Sequence, residues 1–178
     1  MAKITPHPAA QTGGLTQPAR LISAHNVSHF SSGQPILDDW LKKRSLESEN
    51  VGTARTYVVC EQTLNVVGYY SIAMGSVQVN ELPPKLKRKQ GLPKQIPVAI
   101  LARLARDEKY RGQGLGADLL QDALKRILQV SQMIGVRAVL VHAIDDKAAT
   151  FWRDNEFVEC PVDSRSFYLP IETIAGAL

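Results

Sequence analysis

Arg111-Gly112-Gln113-Gly114-Leu115-Gly116 decides how this chain is read, because it separates a nearly continuous apolar run, Ile96 to Ala105, from a long amphipathic segment. The apolar run has the character of a strand covered on both faces. Beyond the glycines, Leu115, Leu119, Ala123, Ile127, Val130 and Ile134 recur at three- and four-residue steps. That spacing predicts a helix of about five turns, with Gly135 where a left-handed cap would fall. A helix start leaves about four backbone N–H groups unpaired and carries roughly half a positive charge. Gly112, Gly114 and Gly116 keep side chains away from those donors, so the backbone can reach pyrophosphate oxygens, with Arg111 adding charge at the rim. Alone, a Gly-x-Gly-x-Gly turn is as readily a plain helix cap. Its place between a buried strand and an amphipathic helix favours the anion cradle. The chain has no Gly-Lys-Ser or Gly-Lys-Thr, which excludes a Walker loop, and a dinucleotide fold would set its glycines after the first strand.

Working outward, residues 1–20 form a Pro-, Gly- and Thr-rich leader expected to be poorly ordered unless docked, and one domain is expected over residues 21–178. Pro35 to about Glu47 predicts a helix, with Ile36, Leu37, Trp40 and Leu41 on one face. Thr53 to Glu61 and Val66 to Val79 read as a hairpin turning over Gln62 to Asn65. Leu82 to Gln95, with Pro83, Pro84, Gly91 and Pro93, reads as a loop. Val136 to Ile144 is a further strand, Asp145 or Asp146 caps a short helix to about Asn155, and Ser166 to Ile171 is the last strand. This order implies an α/β fold, a mixed central sheet with helices on both faces.

Composition narrows the function classes. In 178 residues no apolar run reaches the length of a membrane span, and the first residues lack the charged and apolar regions of a secretory signal, so a soluble cytoplasmic protein is expected. Cys60 and Cys160, far apart in apolar surroundings, are expected as buried free thiols. No metal site is expected: His142 has no second histidine at ligand spacing, and His25 and His29 lack acidic or cysteine partners. A satisfied core or cleft position suits His142 better. The net charge of +4 is clustered at Lys85, Lys87, Arg88, Lys89 and Lys94, and at Lys42, Lys43 and Arg44. Without further context these are solvated surfaces more often than nucleic-acid contacts.

Arg111 to Gly116 after a strand resembles the acyl-CoA signature of the GNAT superfamily of N-acetyltransferases. More narrowly, the chain is similar to the GNAT toxins of bacterial toxin–antitoxin pairs through Leu37-Asp38-Asp39-Trp40-Leu41, Val67-Gly68-Tyr69-Tyr70, Ile100 to Ala105, Ile134 to Ala138, Val141-His142-Ala143 and Phe167-Tyr168-Leu169-Pro170. The resemblance implies acetyl transfer from acetyl-CoA to the amino group of aminoacyl-tRNA, blocking translation. It also implies a homodimer, a ribbon-helix-helix antitoxin, and operator DNA bound only through the antitoxin complex. Leu104 and Ala105 would meet the acetyl carbonyl and pantetheine arm, and Arg111, Gly112, Gln113, Gly114, Leu115 and Gly116 the pyrophosphate. The cationic residues Lys85, Lys87, Arg88, Lys89, Lys94 and Arg103 become candidates for tRNA phosphates. A small-molecule or protein amine is the alternative acceptor.

The chain departs from the family's Phe-Tyr-x-x-x-Gly-Phe at Phe151-Trp152-Arg153-Asp154-Asn155-Glu156-Phe157, where Trp152 stands for the tyrosine that assists the departing thiolate. An indole N–H donates a hydrogen bond but does not give up its proton. Three readings follow: Trp152 donates a hydrogen bond or water supplies the proton, the chain is an inactive or weakened form that binds CoA as a partner of an antitoxin, or another phenol, Tyr168 or Tyr110, is the acid. Trp152 equally suits packing of its helix on the sheet. Glu61 and Glu81 are alternative bases for the amine, between which the sequence does not select, and the low pKa of an aminoacyl-ester amine leaves open that no dedicated base is needed.

Overall fold

The computed structural model describes residues 14–61, 64–88 and 91–178. Its strands are β1 (Ala19–Arg20), β2 (Arg55–Cys60), β3 (Val66–Gln78), β4 (Gln95–Arg106), β5 (Ala138–His142), β6 (Val158–Cys160) and β7 (Asp163–Pro170). The helices are α1 (Pro35–Lys43), α2 (Ser45–Val51), α3 (Pro84–Lys87), α4 (Leu115–Ser131), α5 (Asp146–Asp154) and α6 (Ile171–Ala177). The strands form one mixed seven-stranded sheet in the order β1-β2-β3-β4-β5-β7-β6. The mixed α/β sheet expected from the order of elements is the one observed. No helix among the described residues is long and apolar enough to cross a membrane.

The described residues group into two compact units, one of residues 14–73 with Arg103–Ala123, the other of Met74–Ala102 with Leu124–Leu178. In the first, β2 and β3 pair antiparallel from Arg55↔Ile72 to Val59↔Gly68, and a bulge follows before Cys60↔Val66. Leu21, Phe30, Leu41, Val58, Cys60, Val66, Tyr69 and Ala105 form its core, with Leu37 and Trp40 packed against them. Ile36, expected on that apolar face, is instead exposed. The expected single helix is two: the backbone leaves the helical region at Arg44, where φ is −125°, and α2 restarts at Ser45, whose buried hydroxyl donates to the Leu41 carbonyl at 2.5 Å.

The end of the leader is docked. Thr16 N–H donates to the Cys60 carbonyl at 2.9 Å, its hydroxyl accepts from Cys60 N–H at 3.0 Å, and β1 pairs antiparallel with β2. Residues 1–13, the rest of the leader, lie outside the described residues, as do Gln62 and Thr63 of the expected turn.

In the second unit, β4 pairs parallel with β5 from Val98↔Ala138 to Ile100↔Leu140, and β5 pairs antiparallel with β7 along its whole length. Leu82, Leu86, Ile96, Val98, Ala138, Leu140, Cys160 and Tyr168 are its core. Both cysteines are buried and free, as expected. Two elements here escaped the sequence reading. Strand β6 is short and only partly buried, and α3 sits inside the expected loop because Pro84 opens a turn that buries Leu86. The helix after the glycines ends at Ser131, and Ile134 is exposed. Gly135 is outside the left-handed region, so the expected glycine cap is absent.

A buried carboxylate ties β1, α2 and β2 together. Glu49 accepts from Arg20 at 2.6 Å, from Arg55 at 3.2 Å and from the Thr56 N–H at 2.8 Å. Burial works against its charge, but the Arg20 hydrogen bond, the Thr56 amide and Arg55 outweigh it and hold the carboxyl below its ordinary value. Both guanidiniums are about half exposed, so solvent screens part of the attraction. Glu49→Gln should therefore cost about 1–2 kcal/mol at neutral pH. Because the folded value lies below the unfolded one, this increment is present above the carboxylate range and is lost as pH falls through the folded value. Urea melts of the two proteins should differ at about pH 7, with the difference shrinking as pH falls below the ordinary carboxylate range; equal midpoints at neutral pH would refute the clamp.

Candidate functional site

The glycine stretch is built from below by Asp107. Its buried carboxylate accepts from Ser31 N–H at 3.0 Å and from Lys109 N–H at 3.0 Å, so it caps the 3-10 turn Glu108–Tyr110 that follows β4. The Asp107 N–H donates to the Val67 carbonyl at 2.7 Å, which sets the end of β4 beside β3. From that turn the chain enters two left-handed residues, Gly112 at φ +75° and Gly114 at φ +83°. An L side chain at either position is strained, so glycine is required by conformation. Gly116 lies within α4 in ordinary helical backbone, where an added Cβ would meet nothing within 4 Å. Its contribution is the absence of a side chain beside the donors.

Gly114 opens α4: its carbonyl accepts from Ala117 at 2.9 Å and from Asp118 at 3.1 Å. Helix geometry then leaves the N–H groups of Leu115 and Gly116 with no carbonyl one turn earlier. Arg111, Gly112 and Gln113 are exposed around this opening. Gln113 is bound back through its side-chain amide to the Lys109 carbonyl at 3.0 Å. The loop thus fits a pyrophosphate, with two glycines turned left-handed, a cation at the rim, and a positive helix end. Leu104 is half-buried and Ala105 buried at the end of β4, on the same continuous stretch that leads into this loop.

What holds α4 in place was not singled out in the sequence. Gly68 of β3 sits directly beneath it: a Cβ there would lie 3.0 Å from Leu119 Cδ1 and 3.2 Å from Leu115 Cδ2. One turn further on, the buried Tyr70 hydroxyl hydrogen-bonds the Asp122 carboxylate. A glycine inside a strand of aromatic and β-branched residues was the available signal for such a close approach.

Trp152 belongs to the second unit, on α5, which Asp145 caps by accepting from Ala148 N–H at 2.7 Å. Its ring packs between Phe151, at 4.9 Å between centroids, and Phe157, at 5.2 Å. Only 6% of it is exposed, yet its indole N–H has no hydrogen-bond partner in the protein. Packing and an unused donor therefore coexist in one side chain. The phenols offered as alternatives differ from it. Burial pushes the Tyr168 hydroxyl up to about 12, and burial likewise raises Tyr110.

The cationic candidates separate. Lys85, Lys87, Arg88 and Lys94 are exposed, with Lys87 donating to the Asn80 carbonyl at 2.7 Å, and Lys89 lies outside the described residues. Arg103 is half-buried, its guanidinium 4.2 Å from the centre of the Trp40 ring, which in turn stacks on Tyr69. In the second cluster Lys43 pairs with Asp39 at 3.0 Å and Arg44 with Glu47 at 3.4 Å. Glu61 lines a polar cleft with His29, Asn65, Asp107 and Lys109. His142 is exposed rather than in the core, and its Nδ1 lies 2.8 Å from the Ser166 hydroxyl.

A model of the acetyltransferase (GNAT) family matches residues 21–157. A tRNA-acetylating toxin of Mycobacterium tuberculosis is 43% identical over 150 residues, covering 84% of this chain and 89% of the toxin. Among solved structures, AtaT complexed with acetyl-methionyl-tRNAfMet is 26% identical with a TM-score of 0.84, over 90% of this chain and 97% of that one. AtaTR bound with AcCoA is 28% identical with a TM-score of 0.80, over 91% and 96% of the two chains. With its glycine loop opening α4 from the end of β4 and a family match spanning most of its length, this chain belongs to the acetyltransferase (GNAT) family.

Proposed function

We propose that this protein transfers acetyl from acetyl-CoA to the amino group of an aminoacyl-tRNA and so blocks translation as the toxin of a toxin–antitoxin pair. The observation that carries the acceptor is the 43% identity, over 84% of the chain, to a toxin named for acetylating tRNA. Family membership and the left-handed glycine pair at the start of α4 support the donor. Bound acetyl-CoA supplies an activated acyl group on a good leaving thiol. Arg111 and the backbone of Gly112 to Gly116 hold its pyrophosphate, and Leu104 and Ala105 offer backbone groups to the acyl and pantetheine portions.

Trp152 supplies a hydrogen bond rather than a proton. A buried N–H without a partner costs about 1–3 kcal/mol, a cost that a ligand acceptor removes. A thiol of ordinary pKa near 8.5 leaves as thiolate without full protonation, so one donor aimed at the sulfur suffices and water completes the proton balance. The exposed Lys85, Lys87, Arg88 and Lys94, joined in sequence by Lys89, contact tRNA phosphates, which makes acceptor binding fall with salt. Arg103 serves less as a free phosphate ligand, since Trp40 occupies its face. The assembly that goes with this reading is a cytoplasmic homodimer neutralised by a ribbon-helix-helix antitoxin, with operator DNA bound only through that complex.

Gly114→Val forces a β-branched side chain into left-handed backbone, at roughly 1–2 kcal/mol, and covers the donors. Calorimetric titration should show loss of acetyl-CoA affinity with the circular dichroism spectrum preserved; retained affinity would sink the cradle. With labelled acetyl-CoA and a pool of charged tRNA, the unchanged protein should label the tRNA. Trp152→Phe keeps the ring but removes the donor, and should lower kcat about tenfold with the circular dichroism spectrum preserved. Label appearing only with Trp152→Tyr would mark the chain as a weakened CoA-binding partner of an antitoxin, and label on free amines alone would move the acceptor to small molecules.

A further inference from the structure

Asp107 is a single buried carboxylate shared by two segments remote in the chain. Oδ2 accepts from the Ser31 N–H and Oδ1 from the Lys109 N–H. A second bond joins the same two segments, from the Glu108 N–H to the Ser31 carbonyl at 2.9 Å. On one side the link runs on into the glycine loop. The Asp107 carbonyl accepts from Tyr110 N–H and the Glu108 carbonyl from Arg111 N–H, each at 3.0 Å, and the Lys109 carbonyl accepts from the Gln113 side chain. On the other side it runs on into α1, where the Ser32 N–H and hydroxyl both donate to Asp38 Oδ1, at 2.9 and 2.5 Å. All of these residues belong to the first compact unit. Ser31, Glu108, Lys109, Arg111, Gly112 and Gln113 are exposed, so hydrogen bonds to the one buried group, rather than apolar packing, hold the two segments together. Exposed backbone of this kind opens locally at low cost.

We infer that Asp107 is a positioning residue for acetyl-CoA that makes the glycine loop and the entry to α1 open and close as one unit, so that a pyrophosphate bound at the loop also steadies Ser31. This rests on the acetyltransferase reading above. The loop's backbone donors keep their direction only while the turn Glu108–Tyr110 is closed on Asp107. A ligand that binds the closed form alone lowers the open population by the factor 1 + [L]/Kd. Because the Ser31 and Lys109 amides share one carboxylate, that factor applies to both, although the two residues lie 76 positions apart from Ser31 to Asp107 along the chain. An asparagine at position 107 breaks the link without changing its size. Its amide has one accepting oxygen and a nitrogen that only donates, so one of the two N–H groups loses its partner, and the remaining bond is no longer made to a charge.

The link can be read without turnover, by amide hydrogen exchange of the unchanged protein with and without CoA at about 100 times its Kd. The Ser31 and Lys109 amides should have similar protection in the free protein, and CoA should slow both by up to about 100-fold. In Asp107→Asn, calorimetric titration should give CoA binding weakened by about tenfold, and at matched saturation CoA should slow Ser31 by less than about threefold while the loop amides keep most of their gain. CoA affinity in Asp107→Asn within twofold of the parent overturns the inference, as does a Ser31 amide whose exchange in the parent ignores CoA. If Asp107→Asn does not fold, exchange in the unchanged protein decides by itself. A parent that binds no CoA refutes the acetyltransferase reading; the link between the segments then stands if Ser31 and Lys109 share one protection factor and falls if they differ widely.

Discussion

The seat of α4 on Gly68 carries the rest of this molecule's candidate chemistry. A single missing Cβ lets Leu115 and Leu119 rest on the backbone of β3, and the Tyr70–Asp122 hydrogen bond fastens the helix one turn later. The donors that α4 presents are backbone groups, which cannot be re-aimed by a rotamer change; their direction is the direction of the helix itself. A Cβ at position 68 would press on both of these leucine side chains. The same logic runs through Asp107, whose carboxylate fixes the turn from which the two left-handed glycines depart.

Trp152 combines tight packing with a polar group left unused. A tyrosine carries its polar group on a tip that projects beyond the ring, whereas the indole N–H is an edge of the ring itself. With Phe151 and Phe157 against its ring, that edge is buried and unpaired. The protein bears the cost of an orphaned donor there. Remote partners also meet at His142, whose Nδ1 lies beside a buried serine that donates to a carboxylate, both more than twenty residues away in the sequence.

Much of the fold could be read from residue pattern because the signals were local. The strand–glycine–helix junction, the hairpin of β2 and β3, the Asp145 cap and the buried free cysteines all depend on composition within a few residues. The misreadings share a different origin. The helix break at Arg44 follows from Ser45 turning its hydroxyl back on Leu41 while the chain folds around Glu49. Strand β6 has too little apolar character to announce itself, and is specified by its pairing with β7. Arg103 looked like a surface cation in a basic chain, but its guanidinium lies over Trp40, more than sixty residues earlier, which in turn stacks on Tyr69.

By itself the sequence determined the family, the glycine loop at a helix start and the substitution of tryptophan for tyrosine, since each resides in a contiguous run whose backbone demands are local. Only the tertiary structure decided that Gly68 is the floor of α4, that the Trp152 N–H is buried without a partner, and that His142 lies against the Ser166 hydroxyl. These are properties of distance between segments remote in the chain. Hydrogen-bond direction and steric clearance depend on fractions of an ångström across such gaps, which no periodicity of residues records.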